Sequence, residues 1–403
     1  MNPADDLSPL SRPLALPCGA VLSNRLAKSA MSDSLGDGAG NPTPAQARLY
    51  ERWAQGGLTL SIVGEVQSDP HALEKPGNLV LDTDCDLAEF SELTARATAG
   101  GAHLWAQLGH AGALAYPPLG RPLGPSALDL PGLVCAQMTP QEIEALPALF
   151  AGGAQRAQTA GFTGVQIHAA HGFLLSQFLS PLFNRRTDRW GGTLERRAQI
   201  LLYVIAAVRA AVGPAFPVGV KLNASDMLDG GFREAEAENV VAMLDETAID
   251  LIEISAGTYF PGAEAASETG RTGPYFLDFA RRARQRTAIA LMAAGGFKQR
   301  AQALAALQEG ALDLIGLARP MVLEPALPEK WMTVSGGDPA FPRFPSPSPG
   351  AVTAWYTMRI DALAEDREAG FDMDADTALR LYDARDAARH PRWRARFGTG
   401  RDG

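Results

Sequence analysis

Along this chain, short runs of apolar and β-branched residues alternate with longer amphipathic stretches. The runs are "RLAKSAM", "LTLSIVGE", "AHLWAQLG", "GVQIH", "FPVGVKLN", "DLIEIS", "IALMAAGG" and "DLIGLAR". Eight strand-like runs separated by helical segments predict a (β/α)8 TIM barrel in the α/β class, in which each strand buries its outer face under the helix that follows. The helix after the fourth run shows the pattern most clearly. From Thr193, a suitable N-cap, Leu194, Ala198, Leu201, Leu202, Ile205, Val208 and Val212 fall at helical spacing, and Gly213–Pro214 stops the run. Similar spacing predicts helices over 43–56, 86–99, 140–160, 233–247, 275–286 and 298–309. A doubly wound sheet shares this alternation, but no G-x-G-x-x-G follows an early strand.

The barrel domain is expected over 1–334. Residues 335–350, "SGGDPAFPRFPSPSPG", form a proline-rich linker. Two charged helices, about 352–369 and 376–388, complete a C-terminal helical extension over 335–403 that is expected to pack on the barrel or on a neighbouring subunit.

Composition narrows the class. The chain has 403 residues, 46% hydrophobic and 20% charged, with a net charge of −9 and no clustered basic stripe, so neither nucleic acid nor an anionic membrane is an expected partner. The apolar run "AQILLYVIAAVRAAV" is too short for a bilayer and carries arginine, and "MNPADDLSPLSRPL" lacks a signal core. A cytoplasmic location is the expectation. Cys18, Cys85 and Cys135 are scattered, which predicts neither disulfides nor a cluster.

Barrel active sites lie at the C-terminal strand ends, where alternate side chains point inward. That rule places Gln166 with His168, Gln107 with Trp105, and Lys221 with Gly219 and Asn223, while His171 follows in the loop. Histidines three apart suggest zinc, but H-E-x-x-H is absent and no carboxylate or cysteine accompanies them in the sequence, so no metal site is expected. Either histidine alone reads as a satisfied structural residue. Together, beside a lysine and an amide, they read as donors toward negative charge developing on an oxygen. Gly295 and Gly296 after the seventh strand, with Arg319 at the end of the eighth, fit a phosphate site. Arg186 and Asp188 read as a structural loop pair.

The stretches "LSNRLAKSAMSD", "LYERWAQGGLTLSIVGEV", "QLGHAG", "QIHAAHGFLLSQFLSPLFNRRTDRWGG", "DLIEISAGTY", "AAGGF" and "DLIGLARP" together resemble the Old Yellow Enzyme family of NADH:flavin oxidoreductases, over roughly residues 8–335. The resemblance implies bound FMN, with NADH or NADPH as hydride donor. It implies flavin contacts from Ala30, Met31, Ser32, Val66, Gln107 and Lys221, and phosphate contacts from Gly295, Gly296, Ala318 and Arg319. It also implies that His168 and His171 hold the carbonyl oxygen of an α,β-unsaturated substrate and, with Lys221, form the catalytic set. A homo-oligomer is implied only in that the family commonly forms one.

The chain departs from the family where a tyrosine usually protonates the substrate: Phe173 stands there. Tyr116, Tyr259 or water then supplies the proton beside Phe173 in the substrate pocket, or the natural reaction is oxidative, such as desaturation of a ring ketone or NADH oxidation. Lys221 replaces the usual arginine and loses its fork of donors, and Trp190 and Ala318 replace a tyrosine and a glycine. Two further classes share these residues: a Schiff-base lyase built on Lys221, and a non-catalytic binding barrel.

Overall fold

The alternation of the sequence becomes a closed ring of parallel strands in a computed structural model, which describes residues 7–261, 263 and 273–398. The strands are β1 (Leu26–Met31), β2 (Leu60–Gln67), β3 (His103–Gly109), β4 (Gly164–Ala169), β5 (Val218–Asn223), β6 (Leu251–Ser255), β7 (Ala290–Ala294) and β8 (Leu314–Leu317). Each pairs with its neighbours in sequence, and β8 closes on β1 through Ile315↔Leu26 and Leu317↔Lys28. This is a (β/α)8 barrel.

Period-two alternation divides the side chains between two cores. Inward-facing Leu60, Ile62, Trp105, Leu251, Met292 and Leu314 pack the lower barrel. A two-stranded hairpin, Leu14–Ala15 with Val21–Leu22, closes it from below with Leu14, Leu16 and Leu22. Outward-facing Val63, Ala106, Ile167, Val220, Ile254 and Leu291 join the helix layer. That layer comprises α1 (Pro44–Gln55), α2 (Ser91–Thr98), α3 (Pro140–Thr159), α4 (Leu194–Val212), α5 (Glu234–Asp245), α6 (Leu277–Arg284) and α7 (Arg300–Gln308). Thr43 caps α1 through the Gln46 amide, and a reciprocal Thr139–Glu142 capping box starts α3. Thr193 holds the N-cap position of α4 without a side-chain capping bond.

The C-terminal segment differs in detail from its expected bounds. Helix α8 spans Ala351–Ala364, shorter than predicted, and packs on α1, where Arg52 bonds the Leu363 carbonyl and pairs with Asp366 and Glu368. Helix α9 spans Ala375–Phe397, well beyond the predicted stop at 388, and runs through Pro391. Burial of Trp393 against Leu73, Val80 and Leu119 offsets the lost backbone bond, a tertiary contact that outweighs the local proline signal. Helix α9 lies across the loops after β1, β2 and β3: Arg389 reaches Ser34, His390 reaches Tyr116, and Arg394 reaches the Pro118 carbonyl. The described residues contain no helix long and apolar enough to cross a membrane.

Candidate active site

At the C-terminal end of the barrel the inner face turns polar. Gln107 on β3 donates to Gln166 on β4 at 2.7 Å, Gln166 donates to Glu253 on β6 at 2.7 Å, and Lys221 on β5 lies 3.1 Å from Glu253 as an ion pair. Strand register puts His168, Lys221 and Glu253 side by side, because consecutive parallel strands present aligned inward positions. Lys221 is 3% and Glu253 0% exposed. With its ammonium committed to a carboxylate, Lys221 is a poor Schiff-base nucleophile, which requires a free amine.

His168 is buried, and its Nδ1 accepts the Ala170 backbone N–H at 3.2 Å. That bond fixes the tautomer: in the neutral ring the proton sits on Nε2. His171 adopts a left-handed backbone, φ 60°, held by its own N–H on Asn223 Oδ1 at 3.1 Å, and its Nε2 lies 2.7 Å from Ser255 Oγ. The two rings stand 5.2 Å apart. Burial, then the neighbouring His171 and Lys221, hold His168 well below the usual histidine range; burial and Lys221 do the same to His171. Both are therefore neutral at physiological pH, and His168 presents its N–H at Nε2.

Beside them opens a cavity of about 790 Å³. His171, Lys221 and Ser255 line its inner end, and Gly295, Gly296, Ala318 and Arg319 its outer end. Gly295 and Gly296 have φ of 107° and 84°, and a Cβ on Gly296 would stand 1.8 Å from the Gly273 carbonyl oxygen, so only glycine fits there. Lys298, which the sequence reading did not single out, adds a second cation at this end. The proline-rich segment expected as a linker is a wall of the cavity instead: Phe341, Pro347 and Pro349 face it, and Arg319 lies over the Tyr356 ring at 5.0 Å. The buried Ser29 hydroxyl on β1, which lines the cavity, has no hydrogen-bond partner among the described residues, while Ser32, just past β1, bonds Glu74. A cavity lined by two cations, a left-handed glycine turn and an unsatisfied serine hydroxyl fits a polar aromatic group carrying a phosphate, as FMN is.

Ala30, His171, Lys221, Gly295, Gly296, Ala318, Arg319 and Tyr259 line this one cavity. Gln107 lies in the polar floor below it, and Met31 and Ser32 end β1 or follow it. Phe173 is 1% exposed and packs edge-on against His168 at 4.8 Å and near Tyr259 at 5.8 Å. Two expected contacts fall elsewhere. Tyr116 bonds His390 of α9 at 3.1 Å and lies under Lys75, away from the histidines, because the C-terminal helix claims its hydroxyl. The Val66 side chain packs into the helix layer, so a flavin contact at this position would fall to its backbone. The cause is a bulge in β2: Gly64 and Glu65 together stand between outward Val63 and Val66, and the pairing with β3 shifts there. A Cβ on Gly64 would lie 2.4 Å from the Met31 carbonyl, and Glu65 takes φ 59°. The extra residue turns Glu65 into the site, where its Oε1 lies 3.5 Å from His168 Nε2. A carboxylate thus accompanies the histidine pair after all, from a strand remote in sequence. Among the described residues no group of three or more potential ligands could hold a metal.

Residues 10–333 match the model of the NADH:flavin oxidoreductase / NADH oxidase family. The chain is 34% identical over 354 residues to the NADH-dependent flavin oxidoreductase iliE of Neonectria sp. (strain DH2), covering 79% of this chain but 46% of that one, so it spans about half of this relative's length. It is 32% identical to the protein of the same name from Hypocrea jecorina, covering 80% of this chain and 88% of that one. The solved structure of morphinone reductase superposes with a TM-score of 0.71 at 27% identity, over 83% of this chain and 91% of that one. The chain belongs to the NADH:flavin oxidoreductase / NADH oxidase family and is an Old Yellow Enzyme-like, FMN-dependent oxidoreductase of NADH or NADPH.

Proposed function

We propose that this enzyme reduces the C=C bond of α,β-unsaturated carbonyl compounds, small molecules that enter the cavity beside His171. The observation that carries this reading is the pair of neutral imidazoles: His171 lines a cavity whose other residues form a phosphate cradle, and His168, with its N–H fixed on Nε2, stands 5.2 Å behind it. When bound, FMN supplies the chemistry of taking hydride from the nicotinamide and returning it to the substrate β-carbon. The protein's part is electrostatic. His168 and His171 donate to the carbonyl oxygen and draw electron density from the β-carbon, each donor being worth about 3 kcal/mol in the transition state. Lys221 offers positive charge at the inner end, and Glu253 tempers it so that no isolated cation is left buried. Lys298, Arg319 and the Gly295–Gly296 turn hold the phosphate.

A second reading, oxidative turnover such as ring-ketone desaturation or NADH oxidation, is favoured by the buried phenyl ring of Phe173, which has no proton to give. Anaerobic reduction by NADH or NADPH, followed by separate mixing with an enone and with dioxygen, separates the two. Reoxidation by the enone at a rate that sustains turnover supports alkene reduction. Reoxidation by oxygen alone supports the oxidative reading.

A further inference from the structure

We propose that Glu65 is the acid of this site, a neutral carboxyl group that protonates the carbonyl oxygen of the substrate once hydride has reached the β-carbon. The proposal rests on the alkene-reduction reading above and supplies the proton that Phe173 cannot.

Placement comes first. The β2 bulge aims the Glu65 side chain inward, against the end of β3 at Gly109; it is 5% exposed and, like His168, stands behind the residues that line the cavity, beside His171. Its Oε1 stands 3.5 Å from His168 Nε2, the atom that carries the ring proton and would donate to a substrate oxygen. An oxygen held by that N–H is therefore within reach of the Glu65 carboxyl. The other carboxyl oxygen, Oε2, lies 3.4 Å from the Gln67 amide nitrogen, while Gln67 Oε1 is buried with no partner. Turning the amide over resolves both: a protonated Oε2 donates to Gln67 Oε1, and the orphaned acceptor is satisfied.

Charge points the same way. Among the described residues, neutral His168 on β4, Lys221 on β5, Glu74 in the loop after β2 and Tyr259 after β6 are the titratable groups that face Glu65, and Lys221 is already paired with Glu253. Burial first, then Glu74, pushes the Glu65 carboxyl well above the usual carboxylate range against the pull of Lys221. Beyond Glu74, buried Asp386 on α9 approaches Lys75 at 3.9 Å, and burial raises both carboxyls in turn.

The alternatives are less suited. A neutral imidazole that gave up its N–H would become an imidazolate, so the histidines bind but are not the proton source. Tyr116 is tied to His390, and burial with the nearby Glu74 and Glu65 raises the Tyr259 phenol further above its usual range, which makes it a poorer acid. The step balances simply. Hydride adds to the β-carbon, the alkene pair moves toward the carbonyl and leaves an enolate. The Glu65 O–H bond breaks, an O–H bond forms on the substrate, and Glu65 is left as a carboxylate until solvent reprotonates it. The released enol becomes the ketone in water and takes its α-hydrogen from solvent.

The test follows the two half-reactions of the FMN-loaded enzyme by stopped flow with an α-methyl enone. Glu65→Gln should slow reoxidation by the enone about 100-fold or more, a larger loss than on reduction by NAD(P)H, and should abolish the solvent deuterium effect on reoxidation. An infrared band of a protonated carboxyl in the wild-type protein should vanish in Glu65→Gln. Two readouts need no variant. Reoxidation should fall as pH rises through a single group between ordinary carboxylates and phenols, and product formed in D2O should be racemic at the α-carbon. Equal losses in both half-reactions, an unaffected Glu65→Gln, or stereospecific α-deuteration would overturn the role of Glu65. Failure of any enone to reoxidise the reduced wild-type enzyme would instead overturn alkene reduction, and the proposal with it.

Discussion

The Lys221–Glu253 pair is the most exacting test of the polar floor. Glu253→Gln keeps the shape and leaves the Gln166 amide an oxygen to donate to, but strips Lys221 of its counter-charge in a position 3% exposed. At 3.1 Å, with an effective dielectric near 20, the lost attraction is about 5 kcal/mol. Since the ammonium stays buried, the cost of the single change should be about 3–5 kcal/mol. Lys221→Met should cost a similar amount for the mirrored reason. The double variant removes both ions and with them both desolvation penalties, so it should be at least about 2 kcal/mol more stable than the sum of the singles implies. Urea denaturation of FMN-free protein at pH 7, followed by far-ultraviolet circular dichroism and tryptophan fluorescence, measures all four corners of the cycle. Glu253→Gln within about 1 kcal/mol of wild type, or an additive double variant, would refute the reading of these residues as a coupled buried pair.

Further consequences are open to direct measurement. His168→Ala removes one fixed N–H and should lower kcat/KM for the enone about 100-fold, equivalent to about 3 kcal/mol of transition-state binding; a loss below threefold would place the substrate oxygen elsewhere. Gly296→Ala forces a Cβ against the Gly273 carbonyl at φ 84°, which costs about 1–2 kcal/mol from the backbone conformation alone, and should weaken FMN binding at least tenfold by fluorescence titration. Lys28, between β1 and α1, is 0% exposed, lies over Trp53 at 4.6 Å, and is lowered to about 8, chiefly by burial. Between that value and its unfolded one near 10.5 the unfolded chain binds the extra proton, so stability from this group is lowest below pH 8 and recovers as pH rises toward 10.5. The stability of Lys28→Met relative to wild type should therefore fall by about 3 kcal/mol between pH 7 and pH 10.5. A pH-independent difference would mean that Lys28 stays charged in the folded protein across that range.

What the sequence made legible followed regular periods. The eight strands were readable because each alternates cleanly between an inner and an outer face, and the same rule set Gln107, His168 and Lys221 inward. Glu253 obeyed it too: in "DLIEIS" the glutamate shares a face with Leu251 and Ser255, so applying the rule to the sixth strand would have found the partner of Lys221. Glu65 could not be found that way. A bulge adds one residue and reverses the phase, and the close approach of the Met31 carbonyl to Gly64 that accompanies it is a tertiary fact with no local signature beyond a glycine. Tyr116 misled for a related reason, since its hydroxyl is claimed by α9, more than 270 residues away in sequence.

The two ends of the cavity also carry different charge, and the difference has a chemical reason. At the β7–β8 end Lys298 and Arg319 have no carboxylate partner among the described residues, and in the proposed site they meet a phosphate, whose charge is permanent. At the β2–β6 end, in the proposed reaction, charge appears only in passing, on the substrate oxygen. An unpaired buried cation there would be penalised throughout the rest of the cycle, and it would hold an enolate too well to let it be protonated. The groups found at that end match this constraint: two neutral imidazoles, a lysine paired with Glu253, and a carboxyl whose surroundings favour its neutral form. Donors of this kind strengthen as negative charge grows and release it once a proton arrives.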